Sequence, residues 1–200
     1  MFEQKKISTK DKILRNAARM FSERGYDRVT TREIASSVGI NSASIYYYFS
    51  SKDEILKSLY RLYTEEQNKK RPDLNELLRL VEIAPPHEVL MKSEYHYDEE
   101  IREFLDQILV TATRGFLTDL ESERFLQESI FGDIMCILKP LLERMVELGK
   151  IKPFKISVFL RVLCHYCYSA AALNSSPFKQ SVAEFQEGMS LLFSLIAPVQ

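Results

Sequence analysis

The chain has 200 residues, 46% of them apolar and 28% charged, with a formal net charge of −1. That balance is ordinary for a globular protein and excludes a low-complexity or charge-dominated disordered chain. No stretch approaches the roughly 18 uninterrupted apolar residues of a membrane span, and the polar start MFEQKKISTKDK lacks the apolar core of a secretory signal. Cys136, Cys164 and Cys167 are odd in number and clustered late, unlike a disulfide framework. A cytoplasmic protein with no membrane partner is expected. The near-zero net charge hides an asymmetry: residues 1–71 hold 15 Lys and Arg against 9 Asp and Glu, a balance of +6, and the remainder carries −7. A basic first third on an acidic body is the distribution of a nucleic-acid reader with a separate partner domain.

In chain order, the first helix is predicted from Ser8 or Thr9 to Arg24, with Ile13, Leu14, Ala17, Met20 and Phe21 as its buried stripe and Gly25 as its end. Tyr26 to Val29 leads into TTREIASSVGINSASIYYYFSS, residues 30–51. Thr30 and Glu33 make a capping box, Ile34, Ala35 and Val38 share a face, and Gly39 supplies the turn. Asn41 can cap a second helix from Ser42 to Tyr48, and Ser51 with Glu54 opens a third. This is the pattern of a helix-turn-helix.

At about 100° per residue, Ile45 and Phe49 mark the buried side of the second helix. Tyr47 and Ala43 point away from it, with Ser44 beside them. The exposed face is small, hydroxyl-bearing and aromatic, and it has no acidic residue. Such a face neither repels phosphate nor blocks close approach, and it carries donors for phosphate oxygens and base edges.

From Lys10 to Lys57 the chain resembles the DNA-binding domain of the tetracycline-repressor (TetR) family. The likeness rests on Gly25-Tyr26, Thr30-Thr31-Arg32-Glu33-Ile34-Ala35, Val38-Gly39-Ile40, Ile45-Tyr46-Tyr47-Tyr48-Phe49 and Ser51-Lys52. It covers about a quarter of the chain and fixes helix lengths, turn glycine and aromatic positions together. The resemblance implies DNA contacts at matching positions. Thr31 would meet phosphate from the start of the first motif helix, with Thr30 and Arg32 among the DNA-binding residues beside it. Asn41, Ser42, Ala43 and Ser44 would enter the major groove, Tyr46 and Tyr47 would hold phosphates, and Lys52 would add another phosphate contact. Many members carry Lys or Gly where this chain has Ser42 and Ala43, so the operator sequence does not follow from the likeness.

After the motif, a connecting helix over 52–71 buries Ile55, Leu56, Leu59, Leu62 and Tyr63, turns polar at Glu65, and stops before Pro72. This puts a DNA-binding domain at 1–54 and a ligand-binding and dimerisation domain at 72–200. Helical patterns follow at Asp73–Glu82, around Glu88–Lys92, at Ile101–Leu117, briefly at Leu120–Phe125, and at Leu126–Leu148, the last containing Pro140. Two final helices, about Lys155–Leu173 and Ser181–Ala197, flank the turn Asn174-Ser175-Ser176-Pro177. No segment has strand periodicity, so the expected fold is all-α.

The body should serve as a ligand switch. The resemblance implies an inducer pocket within each subunit, for which Phe104, Ile108, Phe116, Phe125, Met135 and Tyr166 are the apolar lining on offer. Val182, Phe185, Met189, Leu192 and Ile196 recur at heptad spacing, and Phe159, Val162, Tyr166 and Ala170 lie on the preceding helix. These residues are the expected homodimer interface. The whole reads as a repressor that binds a near-palindromic operator as a dimer and is released by an unidentified small-molecule inducer. No cofactor is expected, and no nucleophile–base spacing or phosphate loop points to an enzyme. Two alternatives share the page. One is a metal or thiol-redox sensor using Cys136, Cys164, His165 and Cys167, although one helix offers at most two good ligands there. The other is a helical adaptor that binds protein.

Overall fold

The structure, a computed structural model, describes residues 8–93, 96–116, 118–173 and 182–196. It is all-α, with no strand among the described residues. The helices are α1 (Thr9–Arg24), α2 (Thr31–Ser37), α3 (Lys52–Lys70), α4 (Leu74–Ile83), α5 (Pro86–Lys92), α6 (Glu99–Gly115), α7 (Leu120–Leu126), α8 (Gly132–Glu147), α9 (Ile156–Leu173) and α10 (Val182–Ser194). A 3₁₀ turn at Ser44–Tyr47 and a π-helical segment at Gln127–Phe131 complete the set.

Packing divides the chain into two compact units, Met1–Glu66 with Asp98–Glu123, and Gln67–Tyr97 with Arg124–Gln200. In the first unit, α1 is opened by a full capping box between Ser8 and Asp11 and closed by Gly25 at φ 86°. Its stripe of Ile13, Leu14, Ala17, Met20 and Phe21 is buried, as the spacing predicts. α1 packs against α2 and also against α6, whose Leu105, Ile108 and Ala112 are buried. Arg15 on α1 reaches Glu100 on α6 at 2.6 Å, and its guanidinium lies 5.5 Å from the centre of the Phe104 ring. The unit is therefore assembled from two separated stretches, and residues 98–123 pack with the N-terminal helices although the sequence boundary at 71/72 puts them in the body. Apolar periodicity marks the face that α6 buries but not the partner it is buried against.

In the second unit, Leu77 and Val81 of α4, Val89 of α5, Ile137, Leu141, Leu142 and Met145 of α8, and Phe159, Leu160 and Leu163 of α9 form one core with Ile196. Asp73 caps α4 through Asn75 N–H at 2.8 Å. Lys150 closes the other end of α4, donating to the carbonyls of Glu82 and Ala84. Arg71 pairs with the buried carboxylate of Asp133 in α8. The expected helix over 126–148 is interrupted at its start by the π segment and then runs through Pro140. Cys136, whose carbonyl loses its partner to that proline, is exposed, and water can serve it there. The predicted turn at 174–177 lies outside the described residues.

Candidate nucleic-acid interface

The motif is built by its caps. Thr30 Oγ1 accepts from Glu33 N–H at 3.2 Å, while the Glu33 carboxylate accepts from Thr30 N–H and Oγ1, both at 2.8 Å. Arg24 adds a third donor at 2.6 Å. The Arg24 bond and those from Thr30 hold the Glu33 carboxyl down at about 2. α2 ends in a Schellman arrangement: Gly39, at φ 73°, donates to Ser36 O at 3.1 Å, and Ile40 donates to Ala35 O at 3.0 Å. Glycine is required there because the left-handed conformation is strained for other residues.

The second motif helix is shorter than its spacing predicts. Instead of a helix from Ser42 to Tyr48, the chain makes an Asx turn and then one 3₁₀ turn. Asn41 Oδ1 accepts from Ala43 N–H at 2.9 Å, and Ser44–Tyr47 follows. Asn and Ser compete for backbone bonds, and Ile and Tyr are middling helix formers, so four residues without a long apolar face do not propagate an α-helix. The facing is nonetheless the one predicted. Ile45 and Phe49 are 1% and 2% exposed, whereas Tyr47 is 87% exposed and Tyr46 57%. Tyr47 meets Tyr48 edge-on at 5.2 Å, and Tyr46 Oη lies 3.4 Å from Thr31 Oγ1. Thr30, Arg32, Asn41, Ala43 and Ser44 are exposed, and Thr31 and Ser42 half-buried. The structure thus gathers hydroxyls from α2 and the 3₁₀ turn on one side of the motif.

Lys52 is placed differently from the expected phosphate contact. Its ammonium turns inward and donates to the carbonyls of Tyr26 at 3.0 Å and Val29 at 3.1 Å. It also sits 4.1 Å from the centre of the Tyr26 ring. Tyr26 in turn donates its hydroxyl to Asp53. Burial, together with that bond, raises the Tyr26 phenol above its ordinary range. Sequence reasoning missed this clamp because its members are 26 and 27 residues apart and no periodicity links them.

The residues proposed from sequence for a ligand pocket are divided between the two units. Phe104, Ile108 and Phe116 fall in the first unit, and Phe125, Met135 and Tyr166 in the second. Ile108 is fully buried packing and Met135 is 40% exposed. Phe104 borders a shallow polar groove with Arg15, Arg19 and Glu100. Apolar residues at helical spacing report burial, and burial alone does not make a cavity.

Four of the expected dimer residues lie in or against the second unit's own core. Phe159 and Ile196 belong to the core of their own subunit, and Met189 and Leu192 pack against it. Tyr166 is half-buried, with its ring lying against Gly188. The side chains of Ala170, Val182 and Phe185 lie outside the described residues. Among the described side chains of these two helices and the turn that follows them, the large apolar residues left exposed are Val158, Val162, Leu191 and Leu195.

The cysteine cluster is dispersed. Cys136 is exposed, Cys164 buried and Cys167 half-buried. His165 is exposed, with Nδ1 2.7 Å from Arg161 O. Burial pushes the Cys164 thiol up and the Cys167 thiol to about 11. Among the described residues no group of three His, Cys, Asp or Glu is placed to hold a metal ion. No described helix is long and apolar enough to cross a membrane.

A capped helix, a glycine turn and an outward aromatic 3₁₀ turn make a helix-turn-helix. Residues 13–59 match the family described as bacterial regulatory proteins, tetR family. The biofilm operon icaADBC negative transcriptional regulator IcaR of Staphylococcus aureus (strain Newman) is 56% identical over 46 residues, 23% of this chain and 25% of that protein. The uncharacterized HTH-type transcriptional regulator YerO of Bacillus subtilis (strain 168) is 30% identical over 110 residues, 55% of this chain and 37% of that protein. The chain thus spans between a quarter and 37% of the length of these curated relatives. The TetR-family regulator PfmR of Thermus thermophilus has the same fold over 95% of this chain and 100% of that one, with a TM-score of 0.61 at 20% identity. Over residues 13–59 the chain is similar to the DNA-binding domain of that family.

Proposed function

We propose that the protein is a DNA-binding transcription regulator, a repressor, that grips a near-palindromic operator as a homodimer in the cytoplasm and lets go when a small molecule binds its helical body. The observation that carries this is the exposed, acid-free face of the 3₁₀ turn, where Tyr47 stands 87% exposed between the buried Ile45 and Phe49. A large aromatic left in water on a four-residue turn needs a partner, and phosphate with its adjoining sugar suits a phenol. In this reading Thr30, Thr31 and Arg32 meet phosphates at the start of α2. Asn41, whose Oδ1 is engaged with Ala43, keeps its amide donors for base edges, with Ser42, Ala43 and Ser44 beside it. Tyr46 and Tyr47 hold the next phosphates along. The repressor sign is supported by the similarity, over 46 residues, to the negative regulator IcaR.

The homodimer is proposed through Val158, Val162, Leu191 and Leu195, the exposed apolar residues of α9, α10 and the turn after α10. Exposed apolar side chains gathered on two neighbouring helices mark a surface for association. Two-fold symmetry then presents two motifs to half-sites about 34–36 Å apart or a multiple of that. The inducer is proposed to be a small, mostly apolar molecule. It acts only through a difference in affinity between the DNA-bound and released states.

Footprinting on the DNA upstream of the protein's own coding sequence tests the function. Wild type should protect one discrete site with inverted symmetry, and the protection should fade steeply with salt. Uniform, unsaturable protection at every salt concentration would remove the operator from the account.

A further inference from the structure

The geometry points to Lys52, half-buried at the start of α3, as a positioning residue for the phosphate-facing start of α2 and not as a phosphate ligand. This rests on the DNA-binding reading of the motif. Lys52 is the first residue of α3, where the helix macrodipole disfavours a positive charge. Its surroundings compensate. Two of the three ammonium donors are on the carbonyls of Tyr26 and Val29, at 3.0 and 3.1 Å. The π face of Tyr26, 4.1 Å away, takes another side of the charge.

Tyr26 and Val29 are the two ends of one turn, because Val29 N–H also donates to Tyr26 O at 3.2 Å. Lys52 therefore ties both ends of that turn to the start of α3. The clamp closes from the other side as well. Asp53 accepts the Tyr26 hydroxyl, and Phe21 packs edge-on against the Tyr26 ring at 5.2 Å. Val29 is fully buried, and the next residue, Thr30, caps α2. Any movement of the turn is passed on to Thr30, Thr31 and Arg32. A lysine that left to bind phosphate would strip two carbonyls of a charged donor and let go of the segment that aims the neighbouring donors. The same side chain cannot keep the turn and hold a phosphate with the same two protons.

The two roles differ in salt dependence. Each phosphate neutralised by a cation contributes about 0.9 to the slope of log affinity against log salt, whereas a positioning residue changes affinity at constant slope. Lys52→Met keeps the aliphatic stem and removes the donors. Measured on duplexes tiling the protein's own upstream DNA, its affinity should fall roughly tenfold or more with the wild-type slope. Tyr26→Phe frees Asp53 with no change of cationic charge, and it should lower affinity at the same slope. In the free protein, amide hydrogen exchange at Ile34, whose N–H donates to Thr30 O, should quicken in Lys52→Met while α1 stays protected.

A slope reduced by about 0.9 in Lys52→Met would make the residue a phosphate ligand and overturn the assignment. So would wild-type affinity in both variants, or unchanged exchange at Ile34. Should Lys52→Met fail to fold, Tyr26→Phe decides alone. A wild-type protein with no salt-dependent affinity for any duplex would remove the DNA reading itself, leaving the exchange of Ile34 to judge the clamp.

Discussion

At the scale of single residues, exposure and hydrogen bonding separate the groups that hold the motif together from those free to meet a partner. Tyr47 is free in that sense. Tyr47→Ala should leave unfolding free energy within about 0.5 kcal/mol of wild type, since exposed substitutions away from special features do little. Operator affinity should drop clearly. Unchanged affinity, read by a gel-shift titration, would show that the 3₁₀ turn faces something other than DNA. Glu33 lies on the other side of this division. The Arg24 bond, followed by the two from Thr30, lowers its carboxyl from 4.5 to about 2. A group whose folded pKa is depressed lends stability above its unfolded pKa and withdraws it as pH falls towards the folded one. The stability advantage of wild type over Glu33→Gln should be full near about pH 6 and shrink between 4.5 and 2. Denaturant midpoints at a series of pH values measure it; a gap that grew on acidification would contradict the assigned bonds.

At the scale of elements, capping and close approach decide where helices start and how tightly they meet. Gly115, the last residue of α6, shows the second effect. A Cβ there would lie 2.5 Å from Ser122 Oγ and 3.0 Å from Ser122 Cβ. Ser122 is 2% exposed, hydrogen-bonded to Tyr60 Oη at 2.7 Å and donating to Asp119 at 2.5 Å. The propensity gain of alanine over glycine in a helix is about 1 kcal/mol, but overpacking costs about 1–3 kcal/mol. Ser122 Cβ cannot move without its backbone, so Gly115→Ala should be net destabilising in equilibrium unfolding. Local chemistry made much of the fold readable in advance: the Thr30 cap, the turn at Gly39, and the burial of Ile45 and Phe49. The 3₁₀ turn was read as a longer helix because the Ile45/Phe49 spacing is that of an α-helix, and only propensity argued against one. The packing of α6 with α1 and the Lys52–Tyr26–Asp53 clamp were not readable, since they join residues far apart in sequence with no shared periodicity. Apolar spacing selects what is buried, and a surface for another molecule is what burial leaves over.

At the scale of the whole molecule, the account is of two motifs brought to one operator and released together. Leu191 is 65% exposed on α10, and Leu191→Glu should shift sedimentation at low micromolar concentration towards monomer while subunit unfolding stays within about 0.5 kcal/mol. A dimer that persists would move the interface elsewhere. Any small molecule that raises the melting temperature of the free protein should weaken operator affinity, by a factor commonly of about 5 to 150, because coupling between two ligands is reciprocal. Stabilising compounds that leave operator affinity untouched would count against the switch. The most direct measurement of the central claim is selection of duplexes from a random pool by the intact protein, followed by sequencing of those retained. The account predicts enrichment of two inverted half-sites with centres about one helical turn apart or a multiple of it. Retention without any enriched sequence, or enrichment of a single unrepeated half-site, would contradict it.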